Sequence, residues 1–475
     1  MSMTNKPNIL FITDDEHRYD FAEMSGRFPV RTPNLARLAR EGVWHRHAYS
    51  NCPLCMPARC SLHTGLYAHQ HGLNRNVLHW PLGLPTMPQA LRRAGYHTAA
   101  IGKLHIHEGV YRPVDLTKLA DKAQALGYDD VHEVSGKTLS WYSDCEWTHH
   151  IAAKGLLEKY RSYRRNSPRE GHWPFPLDAE DYMDVYVSDR VVEWLEQYDD
   201  QSPFFLWAGL VSPHPSYDAP AEELARHPVE DQPLPVDNHD PGQWPHKRAH
   251  YIAMVEIVDR QVGRMLDVLE RRGILDDTLV IFASDHGEML GDHGLAYKCY
   301  PYDPSTRVPL LARYPRLIRP GTVSDALVEL IDLTATCLEV GQCTNATEDL
   351  NRSPDVSAVE NEHILAHRWR DEMEYLPGSP AHSLVAHWQN PSQPHRAFVY
   401  SEDGGQFFPA FQMVRTERWK YVFYPRDRRE KLFDMQEDPD ECVNLADSTE
   451  HQGVKDELNV TLLKHIADTP PPVRD

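Results

Sequence analysis

The chain has 475 residues, 41% of them hydrophobic and 25% charged, with a formal net charge of −21. That length and balance describe a soluble globular protein, and the acidic excess argues against nucleic acid or an anionic membrane as a bulk partner. No window reaches the ~18 apolar residues of a membrane span, and the apolar run Ile9 to Ile12 is too short for a secretory leader, so the expected compartment is the cytoplasm.

The first expected strand is Asn8 to Thr13, a short apolar run that ends in Asp14-Asp15. A helix follows over Pro33 to Glu41, with Thr32 as its N-cap and Gly42 as its stop. Met87 to Ala94 repeats that plan, and His97 to Ile101 reads as a strand. Tyr182 to Tyr198 has helical apolar spacing, and Pro203 to Leu210 is a buried strand. From Tyr251 onward, Val255, Val258, Val262, Leu266 and Leu269 recur at helical spacing until Gly273, and Thr278 to Ser284 is the next strand. Leu310 to Tyr314 and a helical Asp325 to Val340 complete the series. Helix alternating with strand predicts an α/β fold with a large mixed sheet covered on both faces.

Residues 107–178, 218–247 and 344–395 lack clear periodicity, and the first two are expected to be long loops over a binding face. Phe398 to Pro425 alternates in β fashion and predicts a small antiparallel sheet. The expected division is a catalytic domain over 1–385 and a small α+β subdomain over 386–475.

Residues 52–60 read CPLCMPARC, with three thiols in nine positions. A disulfide is disfavoured by the expected compartment. A zinc site lacks a second Cys-x-x-Cys or a matching His pair. A thiol phosphatase does not fit either, because neither Cys55 nor Cys52 stands at its spacing from Arg59. The remaining pattern is Cys55-x-Pro57-x-Arg59 followed by Thr64-Gly65, which resembles the signature of the formylglycine-dependent (type I) sulfatases of the alkaline phosphatase superfamily. The resemblance extends over most of the chain, including the tail RTERWKYVFYP and LFDMQEDPDE. It implies that a maturation enzyme, a partner of the chain, converts Cys55 to formylglycine, and that Cys52 and Cys60 are core thiols. It also implies the alkaline-phosphatase-like sandwich with a smaller C-terminal domain.

The site residues follow from matching motifs. The hydrated aldehyde at residue 55 would attack the sulfur of a sulfate monoester, and a metal would acidify it. Pro57 suits the first turn of a helix, which puts residue 55 near that helix's N-terminus, where an anion is favoured. Asp14 and Asp15 after one strand, and Asp285-His286 after another, would hold the ion together with residue 55. Neighbours on a strand point to opposite faces, so Asp14 and Asp15 can share one ion only where the strand gives way to a loop. Carboxylate oxygens favour Ca2+, and the His286 nitrogen admits Mn2+.

Lys103 and His105 match the family's K-x-H motif: Lys103 would bridge sulfate and the nucleophile, and His105 would take a proton. His214 resembles the leaving-group histidine, Lys298 the second sulfate-binding lysine, and Arg59 a holder of the nucleophile and its carboxylates. Asn76 stands at a substrate-contacting position of the phosphonate hydrolase branch. Many sulfatases carry Asp-Asn where this chain has Asp285-His286, which resembles the phosphonate monoester hydrolase and choline sulfatase branches. The Lys103/His105 pair tilts the reading toward an aryl or alkyl sulfate. A phosphonate monoester or phosphodiester hydrolase is the alternative, and a non-catalytic anion-binding relative the weaker one. Trp80, Tyr111, Trp141, Trp147 and Tyr217 read either as a leaving-group pocket or as core. The sequence admits a homo-oligomer without specifying one.

Overall fold

The computed structural model describes residues 6–107, 113–167, 172–238, 240, 242–343 and 379–471. Eight strands form the large sheet: β1 Asn8–Asp15, β2 Val43–Tyr49, β3 His97–Gly102, β4 Asp130–Glu133, β5 Phe204–Pro213, β6 Thr278–Ser284, β7 Arg307–Arg313 and β8 Thr322–Glu329. Their spatial order is β4-β3-β5-β1-β6-β7-β2-β8. All neighbours run parallel except β7, which is antiparallel to both β6 and β2.

β1 lies in the interior of the sheet, and its period-two alternation feeds two cores. Ile9 and Phe11 join Phe205, Trp207, Leu279 and Ile281 on one face, where Met56, Cys60 and Leu333 pack. Leu10 and Ile12 join Leu206, Val280 and Phe282 on the other, against Leu35, Val187 and Val262. Helix α1 (Pro33–Glu41) and the long helix Trp244–Arg271 cover that second face. Helix α2 (Cys55–Thr64) lies under the first, with all ten of its residues buried.

A four-stranded antiparallel meander follows, with β9 Val399–Asp403, β10 Phe411–Arg415, β11 Trp419–Tyr424 and β12 Arg429–Asp434 in order β12-β11-β10-β9. The helix Gln452–Asp468 packs Leu458 and Leu462 against Val414, Tyr421 and Leu432. Tyr49 and Leu327 of the large sheet share a core with Val399, Met413 and Val422 of the small one. Beside that seam, Asn51 donates from Nδ2 to the Tyr400 carbonyl (3.1 Å) and accepts at Oδ1 from the Ile331 N–H (3.2 Å), while the Glu402 N–H donates to the Asn51 carbonyl (2.9 Å).

Several expectations are corrected. Asp325 to Glu329 is not helical: it belongs to β8, and the helix begins at Ile331. β8 is an edge strand paired, among the described residues, with β2 alone, and β2 is concealed by its polar sequence VWHRHAY. Residues 107–178 are not one loop, because the described part contains β4 and the helices Ala120–Ala125, Glu146–Ala153 and Leu157–Asn166. Their signal is weak for a physical reason: Leu157–Asn166 buries only Tyr160 and Arg164. Within 218–247, Ala221–Leu224 is helical, and the long helix starts at Trp244 rather than Tyr251. Most of 344–395 lies outside the described residues, as does Tyr111.

Candidate active site

Four strand ends and one helix start converge. The β1/β5 register shifts between Thr13 and Asp15, and Glu16 takes a left-handed φ of 70°. The strand thus breaks where two consecutive acids must turn toward one place. At the end of β3, Gly102 has φ 103°, and a Cβ there would lie 2.1 Å from the Gly209 carbonyl oxygen. That close approach, open only to glycine, turns Lys103 and His105 inward from the strand end. His214 follows β5, and Asp285 and His286 follow β6. Sites in parallel sheets form at such carboxyl ends.

Cys55 opens α2, which closes with Gly65 at φ 69° donating to the Ser61 carbonyl. The Cys55 Sγ lies 3.1 Å from His286 Nε2 and 3.8 Å from Asp15 Oδ1. Ligand atoms of Asp15, Cys55, Asp285 and His286 all fall within 4.8 Å of one another. Asp14 stands beside this set rather than in it. Its Oδ2 accepts from His17 Nδ1 (2.5 Å), and its buried Oδ1 has no hydrogen-bond partner among the described residues. Two carboxylates and an imidazole, with one orphaned buried carboxylate oxygen beside them, fit a divalent cation. Burial, offset in part by His17, raises Asp14 above the usual carboxylate range.

Arg59 knits the acids together. Its Nε donates to Asp285 Oδ2 (2.9 Å), its Nη1 to the Lys103 carbonyl (2.8 Å), and its Nη2 lies 3.4 Å from Asp15 Oδ2. Lys103 Nζ donates to Asp15 Oδ2. Burial works against ionisation of Asp15, yet Lys103, His214, Arg59 and Lys298 together hold it well below the usual range.

The His105 ring is buried, and neither nitrogen has a partner among the described residues. Burial, with the Lys103 charge beside it, pushes its pKa well below 6.5, so it stands neutral and able to accept a proton. His214 is depressed likewise, by burial and then Lys298. The Cys55 thiol is pushed up to about 12 by burial, so it is a thiol and not a ready thiolate. Cys52 and Cys60 are free, buried and packed in apolar clusters.

Three placements go beyond the sequence reading. Asn76 Oδ1 accepts the Met56 N–H (3.0 Å), so its carbonyl end anchors the first turn of α2, and its own N–H donates to Gln406 Oε1 (2.6 Å). His17, one of many histidines with no assigned role, faces acceptors with both ring nitrogens, Asp14 Oδ2 and the Phe21 carbonyl (2.9 Å). Glu16 was missed altogether. It is fully buried, and its Oε2 contacts both Lys298 Nζ and His214 Nε2, the latter at 3.4 Å. The available signal was a third acid in succession after the strand, in DDEH. Of the aromatics, Trp80 and Trp147 belong to cores, Trp141 lies under the Arg164 guanidinium (4.1 Å), and Tyr217 is buried with a partnerless hydroxyl among the described residues.

The sulfatase family model matches residues 7–342. The chain belongs to the sulfatase family. Among sulfatase relatives, an arylsulfatase of Clostridium perfringens is 26% identical over 97% of this chain and 94% of its own length. A choline-sulfatase of Rhizobium meliloti is 26% identical over 98% of this chain and 86% of its own. A solved phosphonate monoester hydrolase from Silicibacter pomeroyi superposes with a TM-score of 0.76 at 23% identity, covering 98% of this chain and 96% of that one. This likeness carries the fold: a large mixed sheet between helices and a small antiparallel sheet. Among the described residues, no helix is long and apolar enough to cross a membrane.

Proposed function

We propose that the chain hydrolyses an aryl or alkyl sulfate monoester to an alcohol and inorganic sulfate, in the cytoplasm, at residue 55. The observation that carries this reading is Cys55 within 3.1 Å of His286 and 3.8 Å of Asp15, with Lys103 beside them and a His105 ring that has no partner among the described residues. Conversion of Cys55 to formylglycine by a maturation enzyme supplies a hydrated aldehyde, a hydroxyl nucleophile that a buried thiol of pKa about 12 is not. A divalent ion held by Asp14, Asp15, Asp285 and His286, Ca2+ in the first instance and Mn2+ as the alternative, supplies charge that acidifies that hydroxyl.

The chain's own groups do the rest. Arg59 fixes Asp285 and Asp15 relative to residue 55. Lys103 and Lys298 present ammonium groups to the anionic sulfuryl oxygens. His105, neutral at pH 7, takes a proton at a ring nitrogen from the hydroxyl of residue 55. His214 faces the leaving oxygen, and Asn76 holds the start of α2 in place. The 1–385 unit carries this chemistry and 386–475 closes over it.

The test is mass spectrometry of the peptide spanning residue 55, joined to kcat/KM for matched aryl sulfate, phosphonate monoester and phosphodiester substrates. Aldehyde at 55 and a preference for sulfate are expected. Unmodified cysteine in a hydrolytically active protein would overturn the reading. A second reading, a phosphonate monoester or phosphodiester hydrolase, is favoured by His286 in the ligand set, and a preference for those substrates would establish it. Metal content with reconstitution by Ca2+ or Mn2+ decides the ion.

A further inference from the structure

We propose that Glu16 is a positioning residue: through one carboxylate oxygen it fixes where Lys298 and His214 stand relative to the bond that breaks. The proposal rests on the sulfatase reading above, in which those two cationic side chains meet the sulfuryl group and the leaving oxygen.

Glu16 is itself held from several sides. Its N–H donates to Asp285 Oδ1 (3.1 Å), and its carbonyl accepts from the Tyr251 hydroxyl (2.6 Å). The backbone between these anchors has φ 70°, a conformation that a non-glycine residue keeps only when its surroundings impose it. The side chain is fully buried. Its Oε2 meets Lys298 Nζ, which comes from the loop after β6, and His214 Nε2, which comes from the loop after β5. One oxygen therefore ties together the loops that follow two strands on either side of β1.

Glu288 backs this arrangement. Its Oε1 accepts the Leu290 and Tyr297 N–H groups (3.0 and 2.5 Å), pinning the loop that carries Lys298. Its Oε2 and Glu16 Oε1 have no partner among the described residues. A lysine has four rotatable bonds and no orientation of its own, so without a fixed acceptor its ammonium is free to swing. Displacement of reacting groups by about 1 Å can cost about 10²-fold in rate.

Two variants separate the position of the oxygen from the presence of a carboxyl group. Glu16→Gln keeps the length and one acceptor oxygen, and adds an N–H that can meet Glu288. Glu16→Asp keeps the carboxyl group and withdraws it. Both are compared with wild type as matured, metal-loaded protein on 4-nitrophenyl sulfate, whose leaving group departs readily, and on a simple alkyl sulfate, whose leaving group needs a well-placed acid. Glu16→Gln is expected within about threefold of wild type on both esters, since it keeps the contact. Glu16→Asp is expected to lose about 10²-fold in kcat on the alkyl ester and about tenfold or less on the aryl ester, with metal content unchanged.

An equal loss on both esters, a wild-type Glu16→Asp, or a Glu16→Gln as impaired as Glu16→Asp overturns the proposal. If Glu16→Asp does not fold, Glu16→Met, which keeps the length without the oxygen, should show the same leaving-group-dependent loss; a uniform loss there overturns it too. Failure of the underlying reading looks different. Wild type would then prefer phosphonate monoesters over both sulfates, and the same variants read on a pair of phosphonate esters would still decide the role of Glu16.

Discussion

Two of the buried charge clusters in this molecule are completed differently. In one, Lys420 Nζ donates to Asp303 Oδ1, to Glu441 Oε1 (2.7 Å) and to the Pro301 carbonyl (3.3 Å). The Asp303 N–H donates to Glu441 Oε2 (2.6 Å), and Tyr49 and Arg307 supply further donors to Asp303. No side-chain polar atom of Lys420, Asp303 or Glu441 is among the buried atoms left without a partner. In the other, around residue 55, Asp14 Oδ1, Glu16 Oε1, Glu288 Oε2 and both His105 nitrogens have none among the described residues. Each such orphan costs about 1–3 kcal/mol unless something outside the chain satisfies it. The saturated cluster joins the two sheets, and the unsaturated one is shaped for an ion and an anionic ester.

That contrast is tested most severely by Cys55→Ala. Hydrolysis is expected to fall by about 10⁴-fold or more, the scale of a lost covalent nucleophile, with the unfolding midpoint retained. Steady-state kinetics beside thermal unfolding reads both.

Lys420→Met is the converse. It strands two buried carboxylates and should cost about 3–5 kcal/mol of stability in urea titration, while kcat per folded molecule stays within about twofold. A catalytic loss without a stability loss would erase the distinction between the clusters.

His105→Ala should lower kcat by about 10²-fold. It should leave the unfolding midpoint no lower, because the two nitrogens it removes have no partner among the described residues.

The smallest effect is in pH. Burial pushes the Glu441 carboxyl up to about 7, from 4.5 when unfolded. The folded chain therefore holds a proton that the unfolded chain releases, so this group's stabilisation is complete below pH 4.5 and fades as pH rises through 7. Glu441→Gln does not titrate, and its stability relative to wild type should rise across that window by about 1 kcal/mol per pH unit at most. Urea midpoints at pH 5, 6 and 7 measure it.

Much of the site was legible because its chemistry sits at the ends of legible strands. β1 and β6 carry apolar runs, Ile9 to Ile12 and Leu279 to Ala283, that give way within two residues to Asp14-Asp15 and Asp285, and Cys55-x-Pro57-x-Arg59 begins a helix as its proline suggests. Glu16 escaped because an acid just past a strand reads as an ordinary turn residue, and only the distant Lys298 and His214 give it a purpose. β2 escaped because its histidines and arginine obscure the alternation that pairing with β7 and β8 imposes. Asn76 is expected from the sequence to contact substrate, and its bond to the Met56 N–H depends on a chain reversal that local sequence does not encode.

The Asn51 clasp has a consequence for how the protein is made. The loop leading into residue 55 is fastened to Tyr400, 349 positions further along the chain. A ribosome adding about 5–20 residues per second needs roughly 20–70 s to synthesise that stretch. In the finished protein Cys55 is 1% exposed within a helix buried along its whole length. Any enzyme that must grip residues 55–59 thus has its opportunity during translation, before the last sheet arrives and the clasp shuts.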